Sequence, residues 1–280
     1  MGEKLLIALI TLTIVGAGML VPGCTSAPPG VTTQDDELSG RVKIIGSTSV
    51  QPYATELADS FSVKYPGADA LVSGGGSGAG IKAAQDGTAQ IGMSSRELTE
   101  EEKASGLRAI VIGYDGIIVV VNPANPLSSL TRQQIKDIFA GRVTNWKDVG
   151  GSDAPVTVVT RESGSGTRAA FQEIVMGETN LTDRAVTLGS TGGITQTVSG
   201  DRNAIGYISY GSLDDSVKVL AVDGVAPSAD AIKDGTYPIR RPFLFVTKGE
   251  PTDPVTKAFI EYTLSEEGQK LLAEGRLVTV

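Results

Sequence analysis

The sequence predicts an α/β fold with largely parallel sheets. Three observations carry this. Short β-branched runs alternate along the chain with stretches whose apolar residues recur at helical spacing. One run, Ile117 to Val121, is apolar without interruption, the pattern of a strand covered on both faces. Loops rich in Ser, Thr and Gly recur where a strand candidate hands over to a helix candidate, at 46–49, 73–80 and 161–168, with a weaker fourth at 190–193. In such folds ligands sit beyond the carboxyl ends of strands, so these loops are also where function is expected.

The chain begins with an apolar run, Leu5 to Val21, preceded by Lys4 and ended by Val21-Pro22-Gly23-Cys24. A charged start, an apolar core and a small residue before a cysteine predict an export signal over 1–23. The ending resembles a lipoprotein box, which implies lipidation of Cys24. An uncleaved anchor helix is the alternative, since a run of this length can span a bilayer. Both readings put the folded part outside the cytoplasm. Residues 24–40, rich in Thr, Ser, Pro and acid, read as a flexible tether.

The folded part opens with a strand candidate at 41–45 and a helix with Ala54, Leu57, Ala58 and Phe61 on one face, stopped near Tyr65-Pro66-Gly67. Strand candidates follow at 70–72 and 90–93, with a short helix through Ile81 and Ala84 between them. Thr99 with three glutamates after it marks a helix start. Strands are expected at 109–113 and 117–121, and a helix from Thr131 carrying Ile135, Ile138 and Phe139. Val156 to Val159 reads as a strand and Ala169 to Met176 as a helix. A helix through Ile194 and Val198, strands at 204–208, 217–222 and 238–246, and a terminal helix over about 253–274 complete the chain.

Composition excludes much chemistry. There is no histidine among the 280 residues, which removes the commonest general base and zinc ligand and any Ser-His-Asp triad. One cysteine allows no intrachain disulfide and no cysteine-based metal cluster. A net charge of −8 disfavours nucleic acid as a partner. Gly75 to Lys82 has the glycine spacing of a phosphate-binding ATPase loop, but Ile81 stands where lysine is needed and no hydroxyl follows Lys82. Gly74-x-Gly76-x-x-Ala79 imitates a dinucleotide fingerprint without a ribose-binding acid. Glu100 to Glu102 reads as a solvated helix start rather than a metal cluster.

The loop from Thr160 to Arg168 reads Thr-Arg-Glu-Ser-Gly-Ser-Gly-Thr-Arg, between a strand and a helix. Such a loop aims N–H groups and hydroxyls into a small space at the positive end of a helix. Two arginines bracket it, and guanidinium suits multidentate contact with oxyanions. An anion cradle and an ordinary Ser/Gly turn are both open for this loop alone; three such loops in one chain favour the cradle.

Taken together, Gly46-Ser47-Thr48-Ser49-Val50-x-Pro52, Gly76 to Lys82, Ile91 to Arg96, Asp115-Gly116-Ile117 to Pro123, and Arg161 to Arg168 resemble the substrate-binding protein of phosphate ABC transporters. The resemblance runs from about residue 41 to 280. It implies a type II periplasmic-binding-protein fold: two α/β domains, joined by two hinge crossings, that close on one anion. The crossings are expected near 119–122 and 238–243, giving a first domain of 41–120 plus 242–280 and a second of 121–241. The family's contacts fall on Thr48, Ser49, Ser77, Arg161, Ser165, Gly166 and Thr167. Many members carry an aspartate that accepts the remaining proton of hydrogen phosphate; here Ser95 aligns with it. Asp115, or else Glu97, is the candidate replacement, against the alternative that Asp115 only steadies the turn before Gly116. Arg168 is expected either to neutralise the ligand or to pair with Glu162 or Asp115.

The reading that follows is a monomeric, lipid-anchored receptor without a cofactor or metal, which carries inorganic phosphate to a membrane permease and has no catalytic residues. Another tetrahedral oxyanion, sulfate, molybdate or tungstate, is the alternative ligand. A phosphoryl-transfer or phosphatase enzyme using the same cradle is the alternative class.

Overall fold

The computed structural model describes residues 38–280. The signal segment, Cys24 and most of the tether lie outside the described residues. β1 (Gly40–Gly46) sends Val42 and Ile44 inward at alternate positions. α1 (Gln51–Lys64) starts with Pro52 in its first turn and buries Tyr53, Leu57 and Phe61 along one face. β2 (Ala68–Gly74), α2 (Ser77–Asp86) and β3 (Ile91–Ser94) follow. α2 lies hard against the sheet because a side chain at Gly80 would collide with the backbone of Ile45 and Gly46.

α3 (Glu100–Ala104) opens on a capping box made by Thr99 and Glu102. β4 (Leu107–Val121) is one strand of 15 residues, where two separate runs were expected. β5 (Ser129–Leu130) precedes α4 (Arg132–Phe139), capped by Thr131 with Gln134. β6 (Thr157–Arg161) leads into α5 (Gly166–Phe171), which continues as a π-helical turn to Met176. Then come β7 (Val186–Leu188), α6 (Thr191–Gly200), β8 (Ala204–Ser209), β9 (Lys218–Val222) and α7 (Ala229–Lys233). β10 (Arg240–Lys248), α8 (Pro254–Leu264) and α9 (Glu266–Glu274) end the chain. The expected single terminal helix is broken at Ser265, whose hydroxyl caps α9 by accepting from Gly268 N.

The strands run in the order β2-β1-β3-β10-β4-β8-β6-β7. Pairing is parallel at both ends, as expected: β1 with β2 and β3, and β6 with β7 and β8. The middle is antiparallel, because β10 returns beside β3 and β4, and β8 and β9 flank β4.

The buried apolar residues form two principal cores. The first gathers Val42, Leu57, Phe61, Ile91, Ile112, Phe243, Phe245, Phe259 and Leu272. The second gathers Ile117 to Val121, Ile135, Phe139, Trp146, Phe171, Ile194, Ile205, Tyr207 and Ile239. β4 and β10 are the strands that pass between them. The passage in β4 falls between Ile112 and Ile117, earlier than the expected 119–122, because residues 117–121 pair with β8 on one edge and residues 119–121 with β9 on the other. The passage in β10 falls between Ile239 and Phe243. The chain is therefore a two-lobed α/β protein with two connecting strands, and α8 and α9 return to the first lobe.

Candidate functional site

Five junction loops converge between the lobes. From the first lobe, β1 ends in Ser47-Thr48-Ser49, α2 begins with Ser77, and β3 ends beside Ser95. From the second, β6 ends in Arg161 before the loop to α5, and α6 begins with Thr191. Ser49, Ser77 and Ser95 are fully buried, and Ser47, Arg161, Ser165, Thr167 and Thr191 nearly so. Burying this many polar groups is costly unless each finds a partner.

Their partners are largely one another. Ser47 Oγ donates to Ser95 Oγ at 3.0 Å, and Ser77 Oγ lies 3.3 Å from Ser95 Oγ and accepts from Ser95 N at 3.1 Å. Across the lobes, Ser49 Oγ is 3.0 Å from both Thr167 Oγ1 and Thr191 Oγ1. Thr191 N donates to Thr48 Oγ1 at 3.3 Å, and Gly78 N donates to Gly164 O at 3.0 Å. The lobes thus meet through hydroxyls and amides. A β-carbon on Gly166 would strike Ser77 Oγ and Ser95 Oγ, so the bare backbone of Gly166 is what lets the start of α5 enter the serine cluster.

Arg161 is 2% exposed yet carries a full charge into this space. Its Nε and Nη2 donate to the two carboxylate oxygens of Glu162, each at 2.9 Å, and its Nη1 donates to Thr191 Oγ1 at 3.3 Å. The fork is held flat by Glu162 and leaves Nη1 turned to the hydroxyls. Behind it, Tyr207 is stacked on Phe171, with ring centroids 4.1 Å apart, and its hydroxyl lies 2.7 Å from Thr160 Oγ1. Burial pushes the Tyr207 phenol above the usual range, so it stays protonated.

Thr48, Ser49, Ser77, Ser95, Arg161, Gly166 and Thr167 lie together, as does Ser165, but Ser165 has a second duty. Its hydroxyl caps α5 by accepting from Arg168 N at 3.2 Å, and as a hydroxyl it keeps one proton to give. Arg168 pairs with neither Glu162 nor Asp115. Its Nη1 donates to Arg161 O at 2.9 Å, behind the strand end.

Asp115 does not join the hydroxyls. Its Oδ2 accepts from Arg241 Nε and Nη2, and its Oδ1 from Ser209 Oγ and Tyr210 N. Burial raises the Asp115 carboxyl above its ordinary range and lowers Arg241, while their mutual attraction opposes both shifts. With four donors on it, the carboxylate is held as the charged partner of Arg241 rather than offered to a ligand. Glu97 is exposed on the surface, and its neighbour Arg96 forms a two-pronged pair with Glu102 at 2.7 and 2.8 Å. Neither candidate acid therefore faces the cluster. Thr191 was not singled out by sequence reasoning, although the Ser190-Thr191-Gly192-Gly193 loop was the signal for it. Arg241, which donates to Ser95 O at 3.2 Å, carried no such signal.

The description of a PBP superfamily domain matches residues 29–267 of this chain. The phosphate-binding protein PstS of Bacillus subtilis is 34% identical over 240 residues, covering 84% of this chain and 79% of its own length. The chain belongs to this phosphate-binding protein family. A solved family structure from Clostridium perfringens, described as a putative phosphate ABC transporter substrate-binding protein with bound phosphate, is 46% identical. It covers 86% of this chain and 100% of its own, with a TM-score of 0.84. The phosphate transport receptor of Vibrio cholerae is 38% identical, with 85% and 100% coverage and a TM-score of 0.73. Family membership agrees with the α/β fold. Among the described residues, no group of three or more metal-ligating side chains comes together.

Proposed function

We propose that the protein is a receptor that binds one inorganic phosphate between its lobes and delivers it to an ABC permease. The observation that carries this reading is the buried cluster of Ser47, Thr48, Ser49, Ser77, Ser95, Thr167 and Thr191 around Arg161, built from strand-to-helix junctions of both lobes. A phosphate stripped of water needs many donors at once. Hydroxyls that now bond one another across the lobes can each turn a proton to a phosphate oxygen. Backbone N–H groups at the start of α5 and α6 add donors of fixed direction. Arg161 supplies the formal charge, steadied by Glu162. Thr48, Ser49, Ser77, Arg161, Ser165, Gly166 and Thr167 are the contacts in this reading, with Thr191 added to them.

The protein works outside the cytoplasm, held to the membrane by a lipid on Cys24, and acts as a monomer. It has no catalytic role. Closure on phosphate shifts the lobes to the state that docks on the permease. Ser95 leaves selectivity to a neutral hydroxyl, so sulfate is the competitor to test. Titration with phosphate, sulfate and molybdate, beside a phosphomonoester turnover assay, decides the reading. Phosphate binding at one site per chain without turnover is the expected result. Phosphoester turnover that is lost in Ser165→Ala would replace the receptor by an enzyme.

A further inference from the structure

The strands that join the lobes carry a buried ion pair outside the anion cradle. Asp115 of β4 and Arg241 of β10 stand opposite each other in the antiparallel register. Both side chains are 1% exposed. Arg241 Nε and Nη2 donate to Asp115 Oδ2 at 3.1 and 2.9 Å. The free ends of this pair reach into different lobes. Asp115 Oδ1 accepts from Ser209 Oγ at 2.8 Å and from Tyr210 N at 3.1 Å, at the end of β8. Arg241 Nη1 donates to Ser95 O at 3.2 Å, in the loop after β3. The guanidinium also lies over the Phe243 ring, 5.1 Å from its centre.

The pair sits in the bridging part of β4, between Ile112 of one core and Ile117 of the other. Hinge movements are absorbed by a few residues at such crossings. Rotation of one lobe against the other about these strands pulls on the two ends of the chain of bonds. A buried carboxylate and a buried guanidinium tolerate poorly the loss of any partner, because the uncompensated charge stays in a dry site. The complete set of bonds is present with the lobes in contact.

We propose that Asp115 and Arg241 form a clasp at the hinge that favours the closed arrangement and fixes Ser95 in the cradle as closure occurs. They are positioning residues: Asp115 senses the second lobe through Ser209 and Tyr210, and Arg241 passes its position to Ser95 in the first. The ligand in this proposal rests on the phosphate-receptor reading, but the coupling between lobes does not.

Hydrogen exchange of the ligand-free protein, followed at the Ser95 and Tyr210 amides, tests the coupling. Ser209→Ala removes one donor in the second lobe and leaves the ion pair whole. The clasp predicts faster exchange of the Ser95 amide in the first lobe of this variant, and about tenfold weaker phosphate binding through faster release, the scale of one hydrogen bond to a charged group. Arg241→Gln is expected to speed exchange at Tyr210 in the second lobe. If Arg241→Gln does not fold, Ser209→Ala decides alone. Exchange that changes only near residue 209, or Ser209→Ala binding phosphate as tightly as the wild type, overturns the clasp. Failure of the wild type to bind phosphate in calorimetry defeats the receptor reading instead, while the cross-lobe exchange still tests the clasp.

Discussion

Gly166 is the residue on which the two lobes' chemistry closes. Alanine there would favour the helix by intrinsic propensity, since alanine is the better helix former by about 0.8–1.0 kcal/mol. Its β-carbon would, however, drive Ser77 and Ser95 away from the start of α5. Gly166→Ala is therefore expected to lower the melting temperature of the ligand-free protein and to weaken phosphate binding by at least about tenfold, a loss of about 1.4 kcal/mol or more. Calorimetry beside thermal unfolding separates the two effects. Arg161→Lys keeps the charge but cannot hold Glu162 with two prongs and reach Thr191 as well. It should cost about 1.5–3 kcal/mol of phosphate binding, or roughly ten- to hundredfold in affinity. These residues were legible because type and spacing announce them: arginine, serine and glycine at a strand-to-helix junction. The hinge pair was not legible as a pair, since Asp115 and Arg241 stand 126 positions apart and nothing local in either points to the other.

Among the elements, the Ser/Thr/Gly junctions were read correctly as strand-to-helix turns, and the run 117–121 as a strand covered on both faces. Gly113 and Gly116 interrupt the apolar pattern of β4, so the sequence predicts two strands there. The structure keeps it as one, because β10 pairs along the whole bridging part. Those glycines leave room for Leu277 and Ile232, against which a side chain would collide. The break between α8 and α9 is not legible in the sequence, because helical spacing continues through Ser265 and only its capping geometry marks the stop. Short elements such as β5, β7 and α7 carry too little periodicity to be seen. α3 gives a test at this scale. Its Glu102 is held below the usual carboxylate range, first by Arg96, then by the amide and hydroxyl of Thr99, against the pull of partial burial. A depressed folded pKa gives stability that is present above the unfolded value, about 4.3, and is lost as pH falls through the folded value. Glu102→Gln should therefore flatten the acid end of the stability curve, with little change in its slope near neutrality. Denaturant midpoints measured between neutral and acid pH would show this, and an unchanged acid limb would contradict it. Thr99→Ala removes the cap and should cost about 1 kcal/mol.

At the scale of the whole molecule, two cores joined by β4 and β10 place five loops face to face. Sequence alone gave two lobes through the family resemblance. It put the first crossing too late, because an unbroken apolar run looks the same whether it ends one core or fills the centre of the next. Selectivity is also a property of the whole site. No free carboxylate faces the cluster among the described residues: Glu162 is bound by Arg161, and Asp115 by Arg241. Discrimination between hydrogen phosphate and sulfate then falls to hydroxyls that can accept as well as donate. Ser95→Asp would place an anion within the cluster. It should weaken sulfate much more than phosphate, by an extra factor of about ten or more, the measure of one charge-assisted hydrogen bond against one repulsion. Competition calorimetry with the two anions reads that ratio directly. Calorimetric titration of the wild-type protein with inorganic phosphate tests the central claim. One phosphate bound per chain, with binding weakened by both Arg161→Lys and Gly166→Ala, is the predicted result. No heat with phosphate, or binding that neither variant alters, would contradict it.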